Sequence, residues 1–107
     1  MKYYHQLKDI PEKELIPGFH GKMVHLEGVT MAYWRIDAGS ILPEHSHIHE
    51  QVTNVISGQL EMNIGGETQV CDSGMAVTIP SNVVHSGIAL TDCYAIDVFQ
   101  PVREDYK

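Results

Sequence analysis

The sequence predicts an all-β domain of short strands that close into a barrel or jelly roll, with a short N-terminal arm. Three observations carry this prediction. Val, Ile and Thr number ten, ten and five against six Leu and five Ala, a bias toward residues that fit a pleated surface. From Val29 onward, β-rich runs are cut by turn signals at roughly ten-residue spacing, the pattern of a sandwich or barrel. The chain of 107 residues is 43% apolar and 20% charged, which suits one small globular domain and excludes both disorder and a two-domain enzyme.

Each element follows from local signals. Residues 1–27 carry Pro11, Pro17, Gly18 and Gly21 with little periodicity and read as an arm along the domain edge, with one turn of helix near Pro11 to Leu15. Residues 28–107 form the barrel domain. Val29 to Ile36 is its first strand, ended by Asp37-Ala38-Gly39-Ser40. After a polar, histidine-rich stretch, Gln51 to Ile56 and Gln59 to Ile64 flank Ser57-Gly58 and read as a hairpin. Gly65-Gly66 leads into Thr68 to Cys71, and Asp72-Ser73-Gly74 into Met75 to Ile79. Val83 to Ala89 and Cys93 to Phe99 complete about eight strands. Closure would remove exposed edges and leave a ligand cavity at the mouth.

Charge and composition narrow the partners. The formal net charge is −7 with no basic run, which argues against nucleic acid. The opening MKYYHQLKDI has no apolar signal region, and no window approaches the roughly 18 continuous apolar residues of a membrane span. A cytoplasmic protein without membrane partners is expected. Cys71 and Cys93 stand in no metal or redox motif and read as small buried hydrophobes, one disulfide being the alternative. Met31, Met62 and Met75 read as core, and one of Tyr33 or Trp34 should enter the core or cavity.

Seven histidines are the anomaly. His45-Ser46-His47-Ile48-His49-Glu50-Gln51 puts potential ligands at alternate positions, and alternate side chains of an extended chain share a face. Neutral imidazoles and an amide oxygen can converge on one metal ion, with His85 completing the site from a distant strand; a solvated turn is the bland alternative. The spacing is that of two linked motifs. Gly39, five residues, His45, one residue, His47, three residues, Gln51, six residues and Gly58 make the first. Gly74, five residues, Pro80, Ser81, Asn82, two residues and His85 make the second. The sequence thereby resembles the cupins, with Gln51 in place of the usual Glu, Asn82 in place of Gly and Ala89 in place of the final Asn. Asn tolerates the left-handed backbone that a turn Gly supplies.

The resemblance implies a cupin barrel, a double-stranded β-helix or jelly roll, with one divalent transition metal (Fe, Mn, Ni, Co or Zn) held by His45, His47, Gln51 and His85. His49 falls outside the motif and reads as either solvent-facing or a support behind these ligands; His5, His20 and His25 default to the surface. Three histidines and a glutamine carry no charge, so the ion would keep its full +2 and host a small anionic substrate.

The last strand is the second informative stretch. Alternation puts Tyr94, Ile96 and Val98 on one face and Ala95, Asp97 and Phe99 on the other, which leaves Asp97 either solvated or a buried carboxylate beside the metal. Arg103 is either a surface ion pair with Glu104 or Asp105, or a ligand for an anion. With the His, His, Gln, His set, Asp97, Phe99 and Arg103 resemble the corresponding residues of KdgF-type cupins, which linearise 4,5-unsaturated uronates from pectin or alginate breakdown. That resemblance implies catalytic roles for Asp97 and Arg103 and substrate contacts for Phe99 and Arg103. Two other classes stay open: an iron-dependent oxygenase acting on a chelating substrate, and a non-catalytic metabolite-binding cupin. A sensor fused to a DNA-binding domain ranks last, because 27 residues before the barrel leave it no room. An open edge and an arm make a homodimer the expected assembly.

Overall fold

The structure, a computed structural model, describes residues 2–107. Its ten strands are β1 (Lys13–Ile16), β2 (Phe19–His25), β3 (Thr30–Ile36), β4 (Ile41–His45), β5 (Glu50–Ser57), β6 (Leu60–Ile64), β7 (Glu67–Cys71), β8 (Ala76–Ile79), β9 (His85–Ala89) and β10 (Cys93–Gln100). They form a six-stranded sheet in the order β1-β2-β3-β10-β5-β8 and a four-stranded sheet in the order β4-β9-β6-β7.

Period-two alternation decides what the sheets bury. On β3, Thr30, Ala32, Trp34 and Ile36 are buried and their neighbours are not. On β10 Cys93, Ala95, Asp97 and Phe99 are buried, and the last three share a face as the alternation predicts. These inner faces meet Leu60, Met62 and Ala89 of the smaller sheet in one apolar core. Trp34 rather than Tyr33 enters it, edge-on to Phe19 at 6.1 Å. Met62 is in the core and Met75 packs against it, whereas Met31 lies on the outer face of β3.

Neither sheet closes, so the expected closed jelly-roll barrel is corrected to two facing open sheets. Burying apolar surface requires only that the inner faces meet, whereas closure needs ladder hydrogen bonds along every edge. The edge strands are poor candidates for that pairing. β1 and β8 have four residues each. β4 carries Pro43, which has no N–H to donate, and its register shifts between Leu42 and His45. Short strands, edge prolines and bulges also protect a free edge from pairing with another chain.

Three local expectations change. Ser57-Gly58 does not make a hairpin: β5 pairs with β10 and β8, and β6 with β7 and β9, so this turn carries the chain from one sheet to the other. Gly58 has φ +83°, and a Cβ there would collide with the Asp92 carbonyl. The helical turn of the arm falls at Leu7–Asp9, while Lys13–Ile16 is a strand paired with β2 through the turn at Gly18. The histidine-rich stretch begins inside a strand, β4. By contrast Gly65-Gly66, both at positive φ, does join the β6–β7 hairpin, because two left-handed residues match the twist of the strands they connect. Among the described residues no helix is long and apolar enough to cross a membrane, and Cys71 and Cys93 are free and buried.

Candidate metal centre

Strand register assembles the site from both sheets. His45 on β4 and His85 on β9 are direct cross-strand partners. The segment after β4 carries His47 across to the larger sheet, where Gln51 on β5 lies beside Phe99 and Thr53 beside Asp97 on β10. The turn of the second motif fastens this segment. The Asn82 N–H donates to the His47 carbonyl at 2.8 Å, and the Ser81 hydroxyl to the Ile48 carbonyl at 2.6 Å. Asn82 has φ +66°, the left-handed conformation for which Asn replaces the motif's Gly at little cost.

The three histidines are oriented alike. Nδ1 of His45 lies 2.8 Å from the Pro43 carbonyl, Nδ1 of His47 3.0 Å from the His49 carbonyl, and Nδ1 of His85 2.9 Å from the Val83 carbonyl. A carbonyl only accepts, so each Nδ1 carries the proton and each Nε2 presents a lone pair. One potential ligand atom from each ring lies within 4.8 Å of the others. His85 Nε2 is buried with no hydrogen-bond partner. His47 Nε2 is 3.0 Å from Gln51 Oε1, and the Gln51 amide nitrogen is turned away, donating to Thr53 Oγ1 at 2.9 Å. Two lone-pair atoms that close repel unless a cation lies between or beside them. Burial holds the pKa of His47 and His85 below the usual imidazole value, which favours the neutral, ligating form. The donor set therefore fits a single divalent ion.

A cavity of about 460 Å³ holds these groups together with Asp97, Phe99 and Arg103. Of the two readings of Asp97, the structure has the buried one. Its Oδ2 accepts from the Trp34 indole N–H at 2.9 Å, and its Oδ1 has no partner. Burial pushes its pKa up to about 6, against the opposing pull of Thr53, Trp34, Gln51 and Arg103. Arg103 combines both expectations, since it is buried in the cavity wall and yet paired with Asp105: Nε donates at 3.0 Å and Nη2 at 2.8 Å. Its guanidinium carbon lies 3.9 Å from the centre of the Tyr106 ring and 4.7 Å from that of Phe99. Burial opposes the Arg103 charge, but the Asp105 hydrogen bonds together with the charges of Tyr106, Asp105 and Asp97 outweigh it, so its pKa is raised. Burial pushes Tyr106 up to about 12.

Sequence reasoning missed Thr53 and Tyr106 beside the site, and left Trp34 as one of two candidates for the core or cavity and Asp105 as one of two surface partners of Arg103. Alternation on β3 and β5 could have placed Trp34 and Thr53 on the inner faces; nothing local marks Tyr106. His49 accepts the Nδ1–H of His47 through its own carbonyl, so its backbone orients a ligand. His20 and His25 are half-buried, not surface residues, bonding Asp37 at 2.9 Å and Thr30 at 2.8 Å.

Residues 32–99 match the cupin domain family, and the chain belongs to that family. Within it, the chain is similar over its whole length to the pectin degradation protein KdgF of Dickeya dadantii (strain 3937), with 29% identity over 109 residues and 99% of each protein covered. The solved structure of KdgF from a Halomonas species superposes with a TM-score of 0.93 at 25% identity, covering 100% of both chains. An RmlC-like cupin from Shewanella frigidimarina NCIMB 400 superposes with a TM-score of 0.94 at 24% identity, covering 100% of this chain and 97% of that one; that likeness concerns the fold alone.

Proposed function

We propose that this chain is a metal-dependent enzyme that linearises 4,5-unsaturated uronates, as its likeness to the pectin degradation protein KdgF suggests. The observation that carries the reading is Asp97: a buried carboxyl with one unpartnered oxygen, in the same cavity as three convergent histidines. A divalent ion held by His45, His47 and His85, with the Gln51 amide oxygen as fourth ligand, supplies Lewis acidity toward the substrate's oxygens.

The protein's own groups do the rest. Arg103 takes the uronate carboxylate, because a guanidinium fork matches a carboxylate, and Phe99 packs on the sugar ring. Protonated Asp97 delivers its proton to C4 of the enol ether, leaving positive charge at C5 shared with the ring oxygen. Water adds at C5 and returns a proton to the Asp97 carboxylate. The bond from C5 to the ring oxygen then breaks as that oxygen takes a proton and the C5 hydroxyl loses one, giving a ketone. C1, now bearing two hydroxyls, loses water to become the aldehyde. The product is an isomer of the substrate, and no oxidant is used.

The reading is tested with metal-loaded protein and unsaturated uronate monomers, with and without oxygen, following loss of the conjugated double bond by absorbance. Equal turnover in both atmospheres is the expected result. No loss of absorbance, or turnover that needs oxygen, overturns it. We further propose a cytoplasmic homodimer with no nucleic-acid partner: the net charge of −7 argues against nucleic acid, and the exposed Val52 and Ile56 on the outer face of β5 offer an apolar surface to a second copy. Light scattering at micromolar concentration that reports a monomer overturns the dimer.

A further inference from the structure

Arg103 is held more tightly than an anion-binding residue needs to be. Its side chain is 9% exposed while that of Asp105, which engages it through two parallel hydrogen bonds, is 60% exposed. Tyr106 and Phe99 lie against the guanidinium and restrict its tilt, but a ring surface does not stop a guanidinium from turning within its own plane. A carboxylate that accepts from both Nε and Nη2 does. These two atoms form one of the two forks of the group, and Nη1 with the second N–H of Nη2 forms the other. Because Asp105 is the solvent-exposed partner, the fork it fills is the one nearer solvent. The Asp105 charge also neutralises Arg103, so what remains at the free fork is a directed pair of donors more than a bare positive charge.

We propose that Asp105 is a positioning residue, which sets the direction in which Arg103 offers its free fork to the substrate carboxylate; this rests on the uronate reading above. Misdirection of the fork costs substrate binding and alignment without touching the metal ligands or the proton donor. Asp105 takes no part in bond making.

The test is steady-state kinetics of metal-loaded wild type, Asp105→Ala, Asp105→Glu and Arg103→Lys, with metal content and thermal midpoint measured on each. Asp105→Ala is expected to raise KM roughly ten-fold or more while kcat falls much less. Asp105→Glu should recover part of the loss, since it can still reach both atoms. In the Arg103→Lys background, which lacks a fork to direct, Asp105→Ala should add no further loss. An unchanged or lowered KM in Asp105→Ala overturns the proposal, because Asp105 would then be a spectator or a competitor for the substrate's seat. So does an equal loss in both Arg103 backgrounds, or a loss explained by lower metal content or unfolding. Wild-type protein inert toward unsaturated uronates defeats the uronate reading and this role with it, whereas active wild type with an unaffected Asp105→Ala defeats the positioning role alone.

Discussion

The two ends of the space between the sheets differ in kind although the same strands build both. Along the inner face of β9 the chain presents His85, then Gly87, then Ala89; along β10 it presents Phe99, Asp97, Ala95 and Cys93. One end collects the histidines, Gln51, Asp97 and Arg103, and the other, where β3, β6, β9 and β10 pair at Ile36, Leu60, Ala89 and Cys93, collects Phe19, Ile36 and Leu60; the cavity reaches from one to the other. The apolar end gains free energy by leaving water. The polar end buries a carboxyl, a guanidinium and imidazoles whose charged or polar forms prefer water, so it adds chemistry at some expense of stability. Substitutions at the two ends should therefore separate activity from stability.

The largest separation is expected at His85. His85→Ala should remove bound metal and, with it, turnover, while the metal-free protein keeps its fold; metal content equal to wild type would break the distinction. Asp97→Asn follows. It should lower turnover by about 10²–10⁴-fold, the range for a lost proton donor, with metal occupancy unchanged by elemental analysis. At the apolar end Leu60→Ala should do the reverse, costing about 2–4 kcal/mol in denaturant unfolding while metal content stays near wild type.

Asp97 sharpens the comparison through pH. Its folded-state pKa is raised from 3.8 to about 6, so the folded chain holds this proton more tightly than the unfolded one. Its contribution to stability is fully present below about pH 4 and is lost as pH rises through 6, up to about 3 kcal/mol. His47 and His85, whose pKa values burial lowers, act in the opposite sense, losing stability as pH falls below the usual imidazole value. The difference between Asp97→Asn and wild type isolates the carboxyl. In metal-free protein the variant should be the more stable by pH 7, with the gap closing toward pH 4 in thermal melts; a gap independent of pH would show that Asp97 ionises freely. The smallest effect belongs to the outer surface, where Arg35 pairs with Glu12 at 2.7 Å. Glu12→Ala should leave the thermal midpoint unchanged within error, because exposed pairs are screened.

Much of this arrangement was legible in the sequence. The spacing of two motifs separated by 15 residues of intervening chain marks His45, His47 and His85 as one cluster, and the three converge. The alternation of β10 ordered Ala95, Asp97 and Phe99 on one face. It did not say whether that face met solvent or the opposite sheet, since a period of two is the same in either case. That the sheets stay open was not legible for a related reason: local sequence marks strands and turns, while closure depends on whether edges such as β8 and β7 meet, a matter of where whole strands lie. The Ser57-Gly58 turn shows the same limit, since a hairpin and a crossing between sheets use the same residues.

By itself, then, the sequence determined the β class, which side chains share a face of each strand and the left-handed turn at Asn82, because each depends on neighbours a few residues apart, and its motif spacing marked the three histidines that converge. Tertiary structure alone decided that the sheets stay open, that Asp97 lies buried against Trp34 with one oxygen unpartnered, and that Arg103 is held between Asp105, Tyr106 and Phe99. Those outcomes depend on desolvation and on packing between distant segments. The same desolvation that shifts Asp97 and lowers the affinity of His47 and His85 for protons exists only once the two sheets have met.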